Sequence, residues 1–235
     1  MGCEYCGNCV LFKNGTCEYP EFCLRKFKID KFLDLGLISP AQREDKTLVL
    51  DSNNCDLEAY TYLNNLRKNI LDFVFNGDNL YIYSQQTGNG KTEWSLKLLK
   101  SYILKIWHKS SITCKVLFIS VPRYLLSIKD AISNNNEYAQ HIKENVLSAD
   151  IVVWDDIATK GMTEFETENV LSIVDARINM GKSNIFTSNI TPQELQIYVG
   201  DRLGSRILGT SKLIKFVGQD KRILGKANYD STSSN

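Results

Sequence analysis

A short apolar segment, Leu80-Tyr81-Ile82-Tyr83, runs directly into Ser84-Gln85-Gln86-Thr87-Gly88-Asn89-Gly90-Lys91-Thr92, and an amphipathic stretch over 92–108 follows. A buried strand, a glycine-containing loop and a helix in that order form a phosphate cradle. Gly88 and Gly90 let the backbone curl so that its N–H groups converge on phosphate oxygens, and the start of the helix adds partial positive charge. In that arrangement Lys91 reaches the terminal phosphates and Thr92 ligates Mg²⁺. The expected phosphate-binding residues are therefore Thr87, Gly88, Asn89, Gly90, Lys91 and Thr92. The full pattern asks for glycine at position 85, where this chain has Gln85. Gly-x-Gly-Lys-Thr can arise by chance in a surface loop, but its place between an apolar strand and a helix argues for nucleotide binding.

The rest of the chain alternates in the same way. Apolar residues at Leu57, Tyr60, Leu63, Leu66, Ile70, Phe73 and Val74 predict one helix over 57–75, ended by Asn76-Gly77-Asp78. Helices are expected over 92–108, 123–133, 137–147 and 164–180. The segments Val116–Ser120, Ile151–Trp154 and Ile185–Thr187 are short, apolar and rich in β-branched residues. Such runs are buried on both faces, which marks a parallel sheet under helices and an α/β fold.

The third strand ends in two carboxylates, Asp155 and Asp156. In a P-loop fold this strand is expected beside the phosphate-loop strand, with its C-terminal end toward the nucleotide. Asp155 then joins the Mg²⁺ shell and Asp156 polarises the attacking water. The next strand ends in Thr187-Ser188-Asn189, and the Asn189 amide can bond the γ-phosphate or that water. Arg202 and Arg206, four apart, share a helical face, where they form either a solvated basic surface or a cation offered to a neighbour's phosphate. Arg222 is a further cation near the C-terminus.

Cysteine use is lopsided: of seven cysteines, Cys3, Cys6, Cys9, Cys17 and Cys23 fall at the N-terminus. An odd count without a secretory leader argues against a disulfide framework. Cys3-x-x-Cys6 has zinc-knuckle spacing, and Asn14-Gly15 favours a hairpin that returns Cys17 and Cys23 toward it. The expected zinc set is Cys3, Cys6, Cys17 and Cys23, with Cys9 as substitute and a metal-free thiol tail as the alternative. The net charge of +1 over 235 residues excludes nucleic-acid binding through bulk charge. No apolar run approaches a membrane span. The expectation is a soluble, cytoplasmic protein without a membrane partner.

Taken together and in this order, these elements resemble the AAA+ ATPases of the DnaC/DnaI helicase-loader group, to which the IstB transposition helpers are related. The carrying segments are Thr87–Thr92, Val152–Asp156, Asp175-Ala176-Arg177 leading to Phe186–Asn189, and Asp201-Arg202-Leu203-Gly204-Ser205-Arg206. The resemblance implies a AAA+ core over 57–228, a zinc-binding, helicase-docking module over 1–25, a connector over 26–56 and a disordered tail over 229–235. It implies Asn189 as the sensor-one residue, Arg206 as the arginine finger with Arg202 second, and Arg222 as a sensor-two residue. Members usually carry glycine where Gln85 and Ala158 stand here. The implied cofactors are ATP, Mg²⁺ and Zn²⁺. The implied activity is ATP hydrolysis that loads a replicative DnaB-type hexameric helicase onto single-stranded DNA, by subunits that assemble on binding ATP. The DNA is expected to pass the helix at Pro122–Lys129, where Arg123 and Tyr124 suit a phosphate contact and base stacking. The alternatives are an IstB-like transposition ATPase, a P-loop nucleoside kinase with a zinc module, and an adaptor that binds ATP without hydrolysing it.

Overall fold

The structure is a computed structural model that describes residues 12–13, 16–17, 23–44, 46–48, 50, 55–218 and 220. At the N-terminus, Phe12–Lys13 (β1) pairs antiparallel with Thr16–Cys17 (β2), the hairpin expected for chain flanking Asn14-Gly15. Helices Leu24–Leu35 (α1) and Pro40–Arg43 (α2) follow, in a stretch that the sequence suggests is a mixed connector. The single helix expected over 57–75 is divided into Leu57–Lys68 (α3) and Ile70–Phe75 (α4). Asn69 leaves helical geometry at φ −108° and ψ 29°, and Ile70 and Phe73 beyond it are buried.

The remaining elements alternate as expected. They are Asn79–Tyr83 (β3), Lys91–Ile106 (α5), Val116–Ser120 (β4), Val121–Ser133 (α6), Glu137–Asn145 (α7), Ile151–Asp155 (β5), Glu164–Asn179 (α8) and Ser183–Ser188 (β6). Pro192–Val199 (α9), Asp201–Thr210 (α10) and Ser211–Lys215 (β7) follow. Helix starts follow local chemistry. Thr163 with Glu166, and Thr191 with Glu194, form capping boxes that satisfy the first free N–H groups of α8 and α9.

The five core strands are parallel, in the order β4-β5-β6-β3-β7. This corrects one expectation: the strand carrying Asp155 does not lie beside the phosphate-loop strand, because β6 stands between them. Period-two alternation divides the core into two layers. Leu80, Ile82, Val116, Phe118, Val153 and Ile185 face α1, α3, α4 and α5. Tyr81, Leu117, Ile119, Val152, Trp154 and Phe186 face α6 to α10. β7 adds only Ile214 and the following Phe216 to the buried core, which is why its lysine-flanked sequence carries no strand signal.

Helix α1 is part of this body. Phe32, Leu33 and Ile38 are buried in the first layer. The Phe118 N–H of β4 donates to the Gly36 carbonyl at 2.9 Å, so the end of α1 covers the outer edge of the sheet. A Cβ on Gly36 would stand 2.8 Å from Val116 Cγ2, which explains the small residue at that crossing. At the N-terminal end of the strands Arg177 is fully buried. It donates through Nε to Asn184 Oδ1 (2.8 Å), through Nη1 to the Ala149 carbonyl (2.9 Å) and through Nη2 to the Ser183 carbonyl (2.6 Å). Burial lowers its pKa to about 9. Arg177 therefore joins β5, β6 and α8 at the end of the sheet remote from the phosphate loop.

Candidate functional site

The ends of three adjacent strands build the site. Tyr83 of β3 is in register with Ser188 of β6, and Trp154 of β5 with Phe186, so the segments after all three emerge at one edge. The loop after β3 is held by its own side chains. Ser84 Oγ accepts from the Gln86 N–H (3.1 Å) and from Asn89 Nδ2 (2.6 Å). Lys91 Nζ donates to the Gln86 carbonyl (3.0 Å) and to Asn89 Oδ1 (3.2 Å). Asn89 is fully buried, so it shapes the loop and positions Lys91. Gly88 at φ +70° and Gly90 at φ +105° supply the turns that other residues resist. Among the described residues only Leu37, Asp156 and Ala158 combine a side chain with positive φ, so the position of Gln85 makes no demand for glycine.

The acidic pair is equally constrained. Thr92 Oγ1 donates to Asp155 Oδ1 at 2.8 Å, and Thr187 Oγ1 donates to the same oxygen at 2.7 Å. Burial pushes the Asp155 carboxyl up to about 6. The Thr187 bond opposes that rise, the neighbouring Asp156 charge adds to it, and the Thr92 bond and Lys91 charge oppose it. Asp156 takes a left-handed turn at φ +57°, held by its N–H donating to Thr187 Oγ1 at 3.0 Å. Ala158 follows at φ +67°, which accounts for the glycine that the resemblance leads one to expect there. Ser188 Oγ donates to the Ile157 carbonyl at 2.7 Å and clamps the same turn. Thr187, Ser188 and Ser84 thus set the geometry of the site. The sequence alone singles out only Asn189 in this segment, because the reach of a hydroxyl into the next strand depends on strand order.

A cavity of about 560 Å³ is lined by residues 87–93, Asp156 and Asn189. Gln42, Lys46, Thr47 and Leu48, from the stretch before α3, form its other wall. The donor set fits the expected ligands. Thr92 Oγ1 and Asp155 Oδ1 are paired oxygens suited to a hard cation such as Mg²⁺, and the loop and Lys91 offer donors to phosphate. Arg202 and Arg206 lie elsewhere, on a second cleft of about 560 Å³ that also includes Leu171 and Asp175. Arg206 Nε stands 2.7 Å from Asp175 Oδ1, and Arg202 Nη1 stands 3.5 Å from Glu168 Oε1.

The base stacking expected of Tyr124 on α6 is corrected. Tyr124 is only 5% exposed and packs in the second core layer, so its ring has no face for a base. The Arg123 guanidinium sits 4.0 Å from the centre of the Tyr138 ring, and Lys129 Nζ pairs with Glu166 Oε1 at 2.9 Å. Arg222, Cys3 and Cys6 lie outside the described residues. Cys17 belongs to β2 and Cys23 precedes α1. Among the described residues no cluster of His, Cys, Asp and Glu suits a metal ion, and no helix is long and apolar enough to cross a membrane.

Residues 53–211 match the family described as the bacterial DnaA ATPase domain. The chain belongs to that family. It is a DnaC-like AAA+ protein, as the resemblance of its motifs implies. It is 27% identical over 157 residues to the replicative helicase loader DnaC of Buchnera aphidicola subsp. Baizongia pistaciae, a match over 66% of this chain and 58% of that protein. The fold matches a crystal structure of the DnaC helicase loader with a TM-score of 0.52 and 20% identity, over 66% of this chain and 89% of that one. It also matches a structure of the replication initiator DnaA bound to AMPPCP and single-stranded DNA, with a TM-score of 0.56 and 20% identity, over 81% of this chain and 56% of that one.

Proposed function

We propose that the chain is an ATP-dependent loader that places a replicative, DnaB-type hexameric helicase on single-stranded DNA. The observation that carries this reading is the convergence of the phosphate loop, Asp156 and Asn189 on one cavity, with Thr92 and Asp155 paired at its edge. In this reading ATP supplies the phosphoryl group and Mg²⁺ neutralises its charge. Lys91 and the loop amides hold the phosphates, and Thr92 and Asp155 hold the cation. Asp156, aimed by its left-handed turn, orients a water and accepts its proton, and the Asn189 amide fixes the distal end of the cavity. Arg206 and Arg202 stand on another cleft, which supports a role toward a neighbouring copy's nucleotide in an ATP-bound assembly. The zinc module over 1–25 is the proposed helicase-docking part, and Arg222 a proposed second sensor. Such a protein works in the cytoplasm of a bacterial host.

The test joins two measurements. The Lys91→Ala protein should lose ATP hydrolysis by at least about a hundredfold, as loss of a transition-state charge contact predicts. The wild-type protein should retain a hexameric helicase from host lysate in an ATP-dependent manner. Hydrolysis at the wild-type rate in Lys91→Ala would refute the site, and capture of a transposase in place of a helicase would refute the loader reading.

A further inference from the structure

A further cavity, of about 390 Å³, lies between α3 and α5. Lys46, Arg67, Lys97 and Lys100 line it, and among the described residues no carboxylate does. Lys46, Arg67 and Lys97 make no ion pair among the described residues. Lys100 Nζ donates to the Glu44 carbonyl at 3.0 Å. Trp94 also lines the cavity. It is buried, and its indole N–H has no hydrogen-bond partner among the described residues. Cations gathered around one concavity repel each other and concentrate positive potential in it, and an anion relieves both effects.

We propose that this groove is a second anion site, which takes a phosphate-bearing ligand beside the nucleotide. Its chemistry separates phosphate from base. Tyr60 and Trp94 are the aromatic residues of the lining, but they are 5% and 3% exposed and offer no ring face for stacking. The ligand is held by the charges of the lysine and arginine side chains, so binding is insensitive to base identity and weakens with salt. Lys46, Thr47 and Leu48 line this groove on one side and the nucleotide cavity on the other. A Cβ on Gly90 would stand 3.2 Å from Leu48 Cδ2, so the segment packs directly on the phosphate loop. An anion that orders Lys46 therefore steadies the wall of the nucleotide cavity. The phosphate belongs either to the backbone of a nucleic-acid strand or to a free polyphosphate, and the two sources present the same group to the same cations.

The proposal is separable from the nucleotide site, because it can be tested in a Lys91→Ala background that disables that site. Inorganic tripolyphosphate is titrated by calorimetry into this protein and into the same protein carrying Arg67→Gln and Lys97→Gln. Lys91→Ala should bind one equivalent, and the added pair should weaken binding by at least about tenfold, as removal of two charge-assisted contacts predicts. A short fluorescent oligothymidylate is titrated in parallel at two salt concentrations. If the pair weakens it as well, the source is a strand; if it weakens tripolyphosphate alone, the source is a free anion. If the doubly substituted protein has lost its cooperative melting transition, Lys97→Gln alone serves as the probe, with a fall of about threefold or more expected from one lost charge contact. Absence of tripolyphosphate binding to Lys91→Ala, or equal affinity with and without the cations, would overturn the proposal.

Discussion

Asp155 is a charge that the fold tolerates poorly on its own. Its carboxyl titrates at about 6 in place of the ordinary 3.8, chiefly because burial removes water from the ionised form. A pKa difference of one corresponds to about 1.4 kcal/mol, so the ionised side chain destabilises the cation-free protein by about 3 kcal/mol. The sign follows from linkage. The folded pKa lies above the unfolded one, so the penalty is absent below pH 3.8, grows as pH rises to about 6 and is complete above that. Asp155→Asn keeps an oxygen for the hydroxyls of Thr92 and Thr187 and removes the charge. Urea unfolding in the absence of Mg²⁺ and nucleotide should show the variant more stable than wild type by about 2–3 kcal/mol at neutral pH. The advantage should shrink toward zero as pH falls through the interval between the two pKa values. Adding Mg²⁺ with ATP should stabilise the wild type more than Asp155→Asn, since both keep the phosphate donors and only the first keeps the charged cation ligand. A pH-independent difference, or an asparagine variant less stable at neutral pH, would refute the argument that burial dominates this carboxyl.

Two further outcomes follow from the same turn. Thr187→Val removes the hydroxyl that joins Asp155 to the Asp156 N–H, and should cost about 1–3 kcal/mol in thermal unfolding and lower ATP turnover at least about tenfold, while Thr187→Ser retains most of both. Ala158→Gly relieves about 1–2 kcal/mol of left-handed strain, and loses a buried methyl worth about 0.8 kcal/mol plus about 0.4–1 kcal/mol of chain entropy. The terms nearly cancel, so its melting temperature should match the wild type; a marked fall would show that the φ +67° backbone is not strained.

What was legible in the sequence was local. Residues 87–92 declare a phosphate loop because every group that shapes it lies within a few residues, between a strand and a helix whose periodicities are strong. That Asp155, Asp156 and Asn189 come to the same edge as the loop was readable for a related reason: each ends an apolar run, and the ends of parallel strands share one edge. The split at Asn69 and strand β7 were not readable, since a lone amide and one buried side chain carry little signal.

The tertiary structure decided everything that depends on which distant segments are neighbours. Only the strand order puts β6 between β3 and β5, and so makes Thr187 and Ser188 the struts of the acidic turn. Only packing turns the stretch before α3 into a wall of the nucleotide cavity, buries Tyr124 away from any base, and gathers Lys46, Arg67, Lys97 and Lys100 around one groove. Periodicity and spacing report the chemistry of a chain along its own axis. Side-chain partners from separate elements are selected by burial and hydrogen bonding in three dimensions, and no local pattern encodes them.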